Sequence, residues 1–298
     1  MTQKQINEKM EELAALRMGN SDNPLISRLS KIPGVTVRLP SAGLFYANGE
    51  LDEEVKNGEI ILFPLTASDE LMLRSPDMLY QGTTIESVFR HCAPQIKEPL
   101  ELLVGDVDYI LTNLRKISYG THIPIRYICD CIESEEQRED IRIAGDDEYL
   151  IPVDHFIQNS KELNIKTFKS TFVVKLANGM EVTTQPVRFS DFIKLNQVRE
   201  EDLEDQEFLR NYVADNLTAI TLKVDEITDK KLIKEWYSVL PRLEVERIKN
   251  KLNSQSPWGI EFKYKVECKH CKEEKELTHH LNPVYFFMLP SSPETLNY

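Results

Sequence analysis

Four of the five cysteines in this chain stand in two close pairs, Cys129/Cys131 and Cys268/Cys271. Thiols two or three positions apart on a turn between strands form a knuckle. Both sulfurs face one point, and the N–H groups of the turn favour thiolate charge. One knuckle supplies two ligands, whereas structural zinc takes four in a tetrahedron at about 2.3 Å. A single zinc site made of Cys129, Cys131, Cys268 and Cys271 is therefore open to this sequence, provided the two knuckles meet. Cys268-Lys269-His270-Cys271 has good knuckle spacing; Cys129-Asp130-Cys131 is tighter. His270, His279 and His280 are spare ligand candidates in the second half. His122 and His155 lie near the first pair but are not well spaced for it. Two other readings use the same residues. The thiols could be inert and half-buried, or Cys268 and Cys271, at thioredoxin spacing, could be a redox pair. Thioredoxin-type pairs open a helix that lowers the thiol pKa; here the following KEEKELTHHL (272–281) reads as a turn into a strand. Cys92, in FRHCAP, reads as a small core residue.

The elements that must position these pairs recur. In the first half Asn57-Gly58 leads through EIILFPLTASDELML, and in the second Asn178-Gly179 leads through MEVTTQPVRFSDFIKL. Asn-Gly is a strong hairpin signal. Each copy then has a proline (Pro64, Pro186) and, four residues on, Ser68-Asp69 or Ser190-Asp191, which predicts serine N-caps with the acid in the first helical turn. Next comes a helix: Val107, Ile110, Leu111 and Leu114, continued by Ile117, form one apolar stripe, and PRLEVERIKNKL, opening at Pro241, is its counterpart. Both helices stop before a glycine, Gly120 and Gly259. From each glycine to the first cysteine of its pair, Cys129 or Cys268, the chain runs nine residues, with alternating strand-like patterns between (THIPIRYI, IEFKYKVE). Each half closes, after a second short strand (EYLI, KELTHHL), on Pro-Val-x-x-Phe: Pro152, Val153, Phe156 and Pro283, Val284, Phe287. Four echoes in one order predict an internal duplication.

Composition narrows the function classes. The chain has 298 residues and a formal net charge of −13, which argues against broad contact with phosphate backbones, since these reward Lys and Arg. No nucleic acid is expected as a partner. The longest apolar runs, Ile60–Leu65 and Val284–Leu289, are too short to span a bilayer, so no membrane is expected either. The first residues lack the basic-then-apolar order of a secretory signal, and an odd cysteine count fits poorly with a disulfide framework. No P-loop, dinucleotide glycine pattern, GxSxG or HExxH is present. The acidic run REEDLEDQE (199–207) reads as a solvated helix face, and His91 and His155 as structural. No enzyme is expected.

The segment VRLPSAGLFYANGELDEEVKNGEIILFPLTASDELMLRSPDMLYQG (37–82) resembles the baseplate hub proteins of T4-type contractile-tailed phages. The resembling pieces are LPSAGLFY (39–46), NGEIILFPLTASDE (57–70), LRKISYG (114–120), QPVRFSD (185–191) and FKYKVECKHCKEEKELTHHLNPVYFF (262–287). None is a catalytic signature. The resemblance implies a hub or tail-assembly subunit, located in the host cytoplasm during assembly or in the virion's tail baseplate, whose partners are other phage tail and baseplate hub proteins. The chain departs from the pattern at the first cysteine pair, which the polar insertion IESEEQREDIRIAGDDE (132–148) follows.

These readings predict an α/β (α+β) protein of two duplicated halves, each with a β-hairpin, helices and a cysteine-bearing β-ribbon. Residues 1–34 form an N-terminal helical arm, 35–158 the first repeat, 159–167 a connector, 168–288 the second repeat and 289–298 a tail. The segment 156–171 has no Gly or Pro, so the halves are expected to pack closely. In the arm, Ile6, Met10, Leu13 and Ala14 share a helical face that would dock on this chain's core or in a partner's groove. Two further functional readings remain at this point: a cytosolic zinc-ribbon adaptor, and a thiol oxidoreductase using Cys268 and Cys271.

Overall fold

Val35–Arg38 (β1) and Glu59–Leu62 (β2) pair antiparallel, Val37 opposite Ile60. The computed structural model describes residues 8–9, 11–13, 33–73, 82–196, 206–255 and 258–278. The run Ile60–Phe63 is apolar without alternation because both faces of β2 are covered. Ile60 and Leu62 face the main core, while Ile61 and Phe63 lie under Leu13, which is thereby docked on this chain's own core. Ile6, Met10 and Ala14 fall outside the described residues. Asn57 and Gly58 both have positive φ, 55° and 70°, and the N–H of Glu59 donates to the carbonyl of Lys56 at 3.0 Å. The turn expected there exists, but it feeds β2 from a loop and does not join β1 to β2. A Cβ on Gly58 would sit 2.7 Å from the backbone of Ala42, so glycine is required.

The helix Ala67–Leu73 (α1) is capped by Thr66, not by Ser68. The N–H of Asp69 donates to Thr66 Oγ1 at 3.2 Å, and the N–H of Thr66 donates to Asp69 Oδ2 at 2.8 Å. This is a reciprocal capping box. Asp69 also lies 3.0 Å from His91 Nδ1. Asp69 does lie in the first turn. Thr83–Cys92 (α2) follows, and Cys92 is fully buried in the core. Val104–Tyr119 (α3) then presents the expected stripe: Val107, Ile110, Leu111 and Leu114 are all buried, and Gly120 ends the helix at φ 89°.

His122–Arg126 (β3) and Glu148–Pro152 (β4) form an antiparallel ribbon, Ile123 opposite Ile151. The polar insertion between them contains the helix Glu135–Ala144 (α4), which buries no residue. Val153–Gln158 (α5) packs Val153 and Phe156 inward. In the second half Phe172–Lys175 (β5) and Glu181–Thr184 (β6) make the tight hairpin that Asn178-Gly179 predicts. Leu176 N–H donates to the Met180 carbonyl at 2.9 Å.

Phe189–Asn196 (α6) begins one residue before Ser190, so Ser190 lies inside the helix and is not its cap; Asp191 is in the first turn as expected. Gln206–Ile220 (α7) leads to Thr221–Val224 (β7), which adds a third strand beside β6. Lys230–Val239 (α8) is capped by Asp229, and Arg242–Gln255 (α9) follows directly after Pro241. Lys263–Glu267 (β8) and Glu274–Thr278 (β9) form the second ribbon. The result is α+β, with helices around small antiparallel sheets. The acidic run 199–205 and the second Pro-Val-x-x-Phe (283–287) fall outside the described residues.

Two hydrophobic clusters organise the chain, and the larger one crosses the middle of the sequence. Tyr264 and Val266 of β8, and Phe189 and Ile193 of α6, join a core otherwise drawn from residues 37–156. The smaller cluster contains Val174, Val182, Leu217, Val224, Ile233, Tyr237 and Ile248. The segment 159–167 meets the second half through Lys161 and Gly259, which exchange backbone hydrogen bonds at 2.9 and 2.8 Å. Gly259, at φ 105°, lets its backbone approach Gly105; a Cβ there would be 3.1 Å from the Gly105 Cα. Arg188 reaches across to Glu50 at 3.3 Å, and Trp258 stacks on Phe45.

Candidate metal centre

Each ribbon delivers its cysteines at the end where the strands turn. Below the first pair, the Tyr127 N–H donates to Asp147 at 2.9 Å and keeps β3 and β4 together; the Ile132 N–H then donates to the Cys129 carbonyl at 3.0 Å, closing a turn over Asp130 and Cys131. In the second ribbon, the Cys268 N–H donates to Glu273 at 2.9 Å and the Lys272 N–H to Cys268 at 3.0 Å. The His270 N–H donates to the Cys268 sulfur at 3.4 Å. Each of these turns therefore holds its two thiols on one side.

The knuckles converge. Cys129 Sγ lies 3.9 Å from Cys271 Sγ, and Cys131 Sγ lies 3.8 Å from Cys268 Sγ. All four sulfurs lie within 4.8 Å of one another. A tetrahedron with metal–sulfur bonds of about 2.3 Å has edges of about 3.8 Å, so the two cross-ribbon distances match it. Cys129 and Cys268 are buried at 2% and 0% exposure, Cys271 is half-buried and Cys131 exposed. The packing that brings the ribbons together is local and specific. Phe156 packs on Phe262 and Tyr264, His155 Nε2 lies 3.1 Å from the Lys263 carbonyl, and the Lys269 N–H donates to the Tyr149 hydroxyl at 3.3 Å. Lys269 Nζ donates to the Glu148 carbonyl at 2.9 Å and lies over the Tyr149 ring.

The electrostatics are compatible with a cation at the centre of the four sulfurs. Burial pushes the Cys268 thiol up, but N–H groups of Cys271 and His270 outweigh it and bring its pKa down to about 6. Desolvation and the three neighbouring sulfurs push Cys131 up to about 12. Burial and a hydrogen bond with Cys129 push Tyr127 up to about 12. One thiolate is thus stabilised and the next is opposed by its neighbours, a conflict that a divalent cation removes.

Among the described residues, His122, His155 and His270 do not enter the cluster. His122 stands beside Thr121 at 3.0 Å, His155 is engaged by Lys263, and His270 is exposed; His279 and His280 fall outside the described residues. After Cys271 the chain turns into β9, the strand expected there, so no helix N-terminus sits at Cys268 to support thioredoxin-type chemistry. Tyr149 and Lys269 were not legible as site residues, since nothing in their spacing marks a contact 120 positions apart.

The second polar cluster explains the motif LPSAGLFY. Asp106, in the first turn of α3, accepts hydrogen bonds from the Ser41 N–H at 3.0 Å, the Ser41 hydroxyl, and the Tyr46 hydroxyl at 2.6 Å. The Leu103 N–H donates to the Tyr46 oxygen at 2.9 Å. Burial raises both the Asp106 and the Tyr46 pKa. Ser41 is fully buried and tied to this carboxylate, which makes the group a fastener of loop 39–46 to α3.

Fold and site together define an α+β protein whose two β-ribbons, far apart in sequence, meet at a four-cysteine centre. Over residues 50–288 the chain matches the family described as T4 bacteriophage base plate protein, and it belongs to that family. No curated protein and no solved structure matches it. Membership makes the chain a phage base-plate protein. Among the described residues no helix is long and apolar enough to cross a membrane.

Proposed function

We propose that this chain is a subunit or assembly factor of the base-plate hub, acting by binding other tail and base-plate proteins, and that Cys129, Cys131, Cys268 and Cys271 hold one structural zinc ion. The observation that carries the zinc reading is the approach of four sulfurs to within 4.8 Å of one another from two separate turns. Structural zinc prefers four ligands with no open position, and a closed set leaves nothing for a reacting group to occupy. The ion would clasp β8–β9 to β3–β4. The zinc-ribbon adaptor reading shares that clasp, but the family match favours the phage setting. A phage lacking the gene should make heads and replicate DNA normally while failing to complete tails. Normal tails from that null mutant would remove the hub reading.

The same reading includes descent of the two halves from one ancestral unit. Gly120 and Gly259 both carry positive φ, 89° and 105°, and each precedes a ribbon that ends in cysteines. Strand β7 and helix α4 would be later additions. An experimental structure in which residues 35–158 superpose on 168–288 with Cys129 on Cys268 supports common descent; unrelated surroundings for that pair refute it.

A further inference from the structure

Strand β5 is an edge of its sheet, and the register of its hairpin shows which way its main chain points. The order is β5-β6-β7. The hairpin closes with Leu176 donating to Met180, so hydrogen bonds recur at every second pair, Val174↔Val182 and Phe172↔Thr184. Glu181 of β6 and Gln185, just beyond its end, confirm the phase by turning to the other side, Glu181 accepting from the Asp225 N–H and the Gln185 N–H donating to Ile220. Val173 and Lys175 therefore aim their N–H and C=O groups outward, and among the described residues no main chain pairs with them there. Beside this edge runs a cleft of about 750 Å³ whose other wall is α9, with Leu243, Glu246, Arg247 and Lys251 along it. Val173 is 49% exposed and Leu243 73%.

We infer that this cleft receives an extended, acidic segment of another base-plate protein, which adds as a strand to the β5 edge. An unpaired strand edge offers a row of donors and acceptors that only another extended backbone can satisfy. The apolar pair Val173 and Leu243 fits alternate apolar side chains of the incoming strand. Charge sets the rest. Among the residues lining the cleft, Lys175, Arg247 and Lys251 are basic and Glu246 is acidic, with Lys249 paired to Glu246 at 4.0 Å, on a chain with 49 acidic against 36 basic residues. Lys175 shares its charge with Glu181 at 3.9 Å and Arg247 with Glu244 at 3.2 Å, while Lys251 has no ion-pair partner among the described residues. An acidic partner is attracted here and repelled by most of the remaining surface. The inference deepens the protein-binding part of the proposed function and is independent of the zinc site.

The test uses the full-length protein and a fluorescent heptapeptide of alternating valine and glutamate, with a valine–lysine peptide as comparison. The valine–glutamate peptide should bind and slow hydrogen exchange at the amides of Val173 and Lys175, and the valine–lysine peptide should bind at least about tenfold more weakly. Val173→Pro removes one outward N–H, a change that edges tolerate, and Leu243→Glu places a charge on the other wall. Each should weaken binding by about tenfold or more at unchanged melting temperature. Equal binding of both peptides, binding that survives both substitutions, or no binding overturns the inference. So does protection of the two amides in the free protein, which would mean the chain covers its own edge, or a dimer that Val173→Pro dissociates, which would mean a second copy does.

Discussion

Cys131 Sγ lies 3.8 Å from Cys268 Sγ, although 137 positions separate the two residues. Neither thiol is placed by its own neighbours alone. Cys131 depends on the turn after β3, and Cys268 on the turn after β8, whose Tyr264 and Val266 are buried in the core of the first half. A metal bond between such distant points would close a long loop, the case in which a clip restricts the unfolded chain most. It would also turn metal affinity into folding free energy, because no preformed site exists in the unfolded chain.

The Thr66–Asp69 box gives an acid-sensitive contribution. Burial pushes the Asp69 carboxyl up, but hydrogen bonds from His91 and Thr66 outweigh it and hold its pKa below the ordinary 3.8. A depressed acid stabilises the fold fully above the ordinary carboxylate range, and that contribution drains away as pH falls through the folded value. Asp69→Asn should cost about 1 kcal/mol at neutral pH, the usual scale of a lost cap. The gap between the melting temperatures of the variant and the parent should close as pH is lowered toward 3. A gap of constant width would show that ionisation of Asp69 contributes nothing.

Asp108 works in the opposite sense. It is half-buried on α3, and desolvation raises its pKa to about 7. A raised acid holds its proton longer in the folded chain than in the unfolded one, so stability falls as pH climbs from the ordinary 3.8 through about 7. Asp108→Asn should match the parent near pH 4 and exceed it at pH 8, by on the order of 1–3 kcal/mol. Urea unfolding at the two pH values measures this directly.

How much of this was legible depended on whether the cause was local. The stripe on α3, the Asn178-Gly179 hairpin and the strand after Cys271 follow from spacing and turn chemistry within a dozen residues, and the structure has them. The serine caps failed because Thr66 sits two residues earlier with Asp69 to answer it, and because the Phe189 N–H finds the Leu102 carbonyl, 2.7 Å away, and starts α6 there. The Asn57-Gly58 turn was visible, but its partner strand was not, since β1 pairs with β2 across the whole loop 39–58. The convergence of the cysteines could be posed from sequence only as a condition. What meets it is the packing of Phe156 on Tyr264 and the contact of Lys269 with Tyr149, both long-range.

The close approach of Gly105 and Gly259 separates two kinds of glycine. Gly145 also has positive φ, 74°, but a Cβ there would meet nothing within 4 Å, whereas at Gly259 it would press on the Gly105 backbone. Gly145→Ala should therefore cost about 1 kcal/mol from conformation alone, and Gly259→Ala more, on the order of 2–3 kcal/mol. Paired melting curves of the two variants test the difference; equal losses would mean that the halves do not need this contact.

The most direct measurement is the metal content of protein purified without chelators, for the parent, Cys129→Ser and Cys268→Ser, together with their melting temperatures. One shared zinc site predicts about one zinc per chain in the parent, loss of the ion from both variants, and a similar drop in melting temperature for each. Parent protein free of metal would contradict the account. So would a Cys129→Ser variant that keeps its zinc while Cys268→Ser loses it, because the site would then belong to the second ribbon alone.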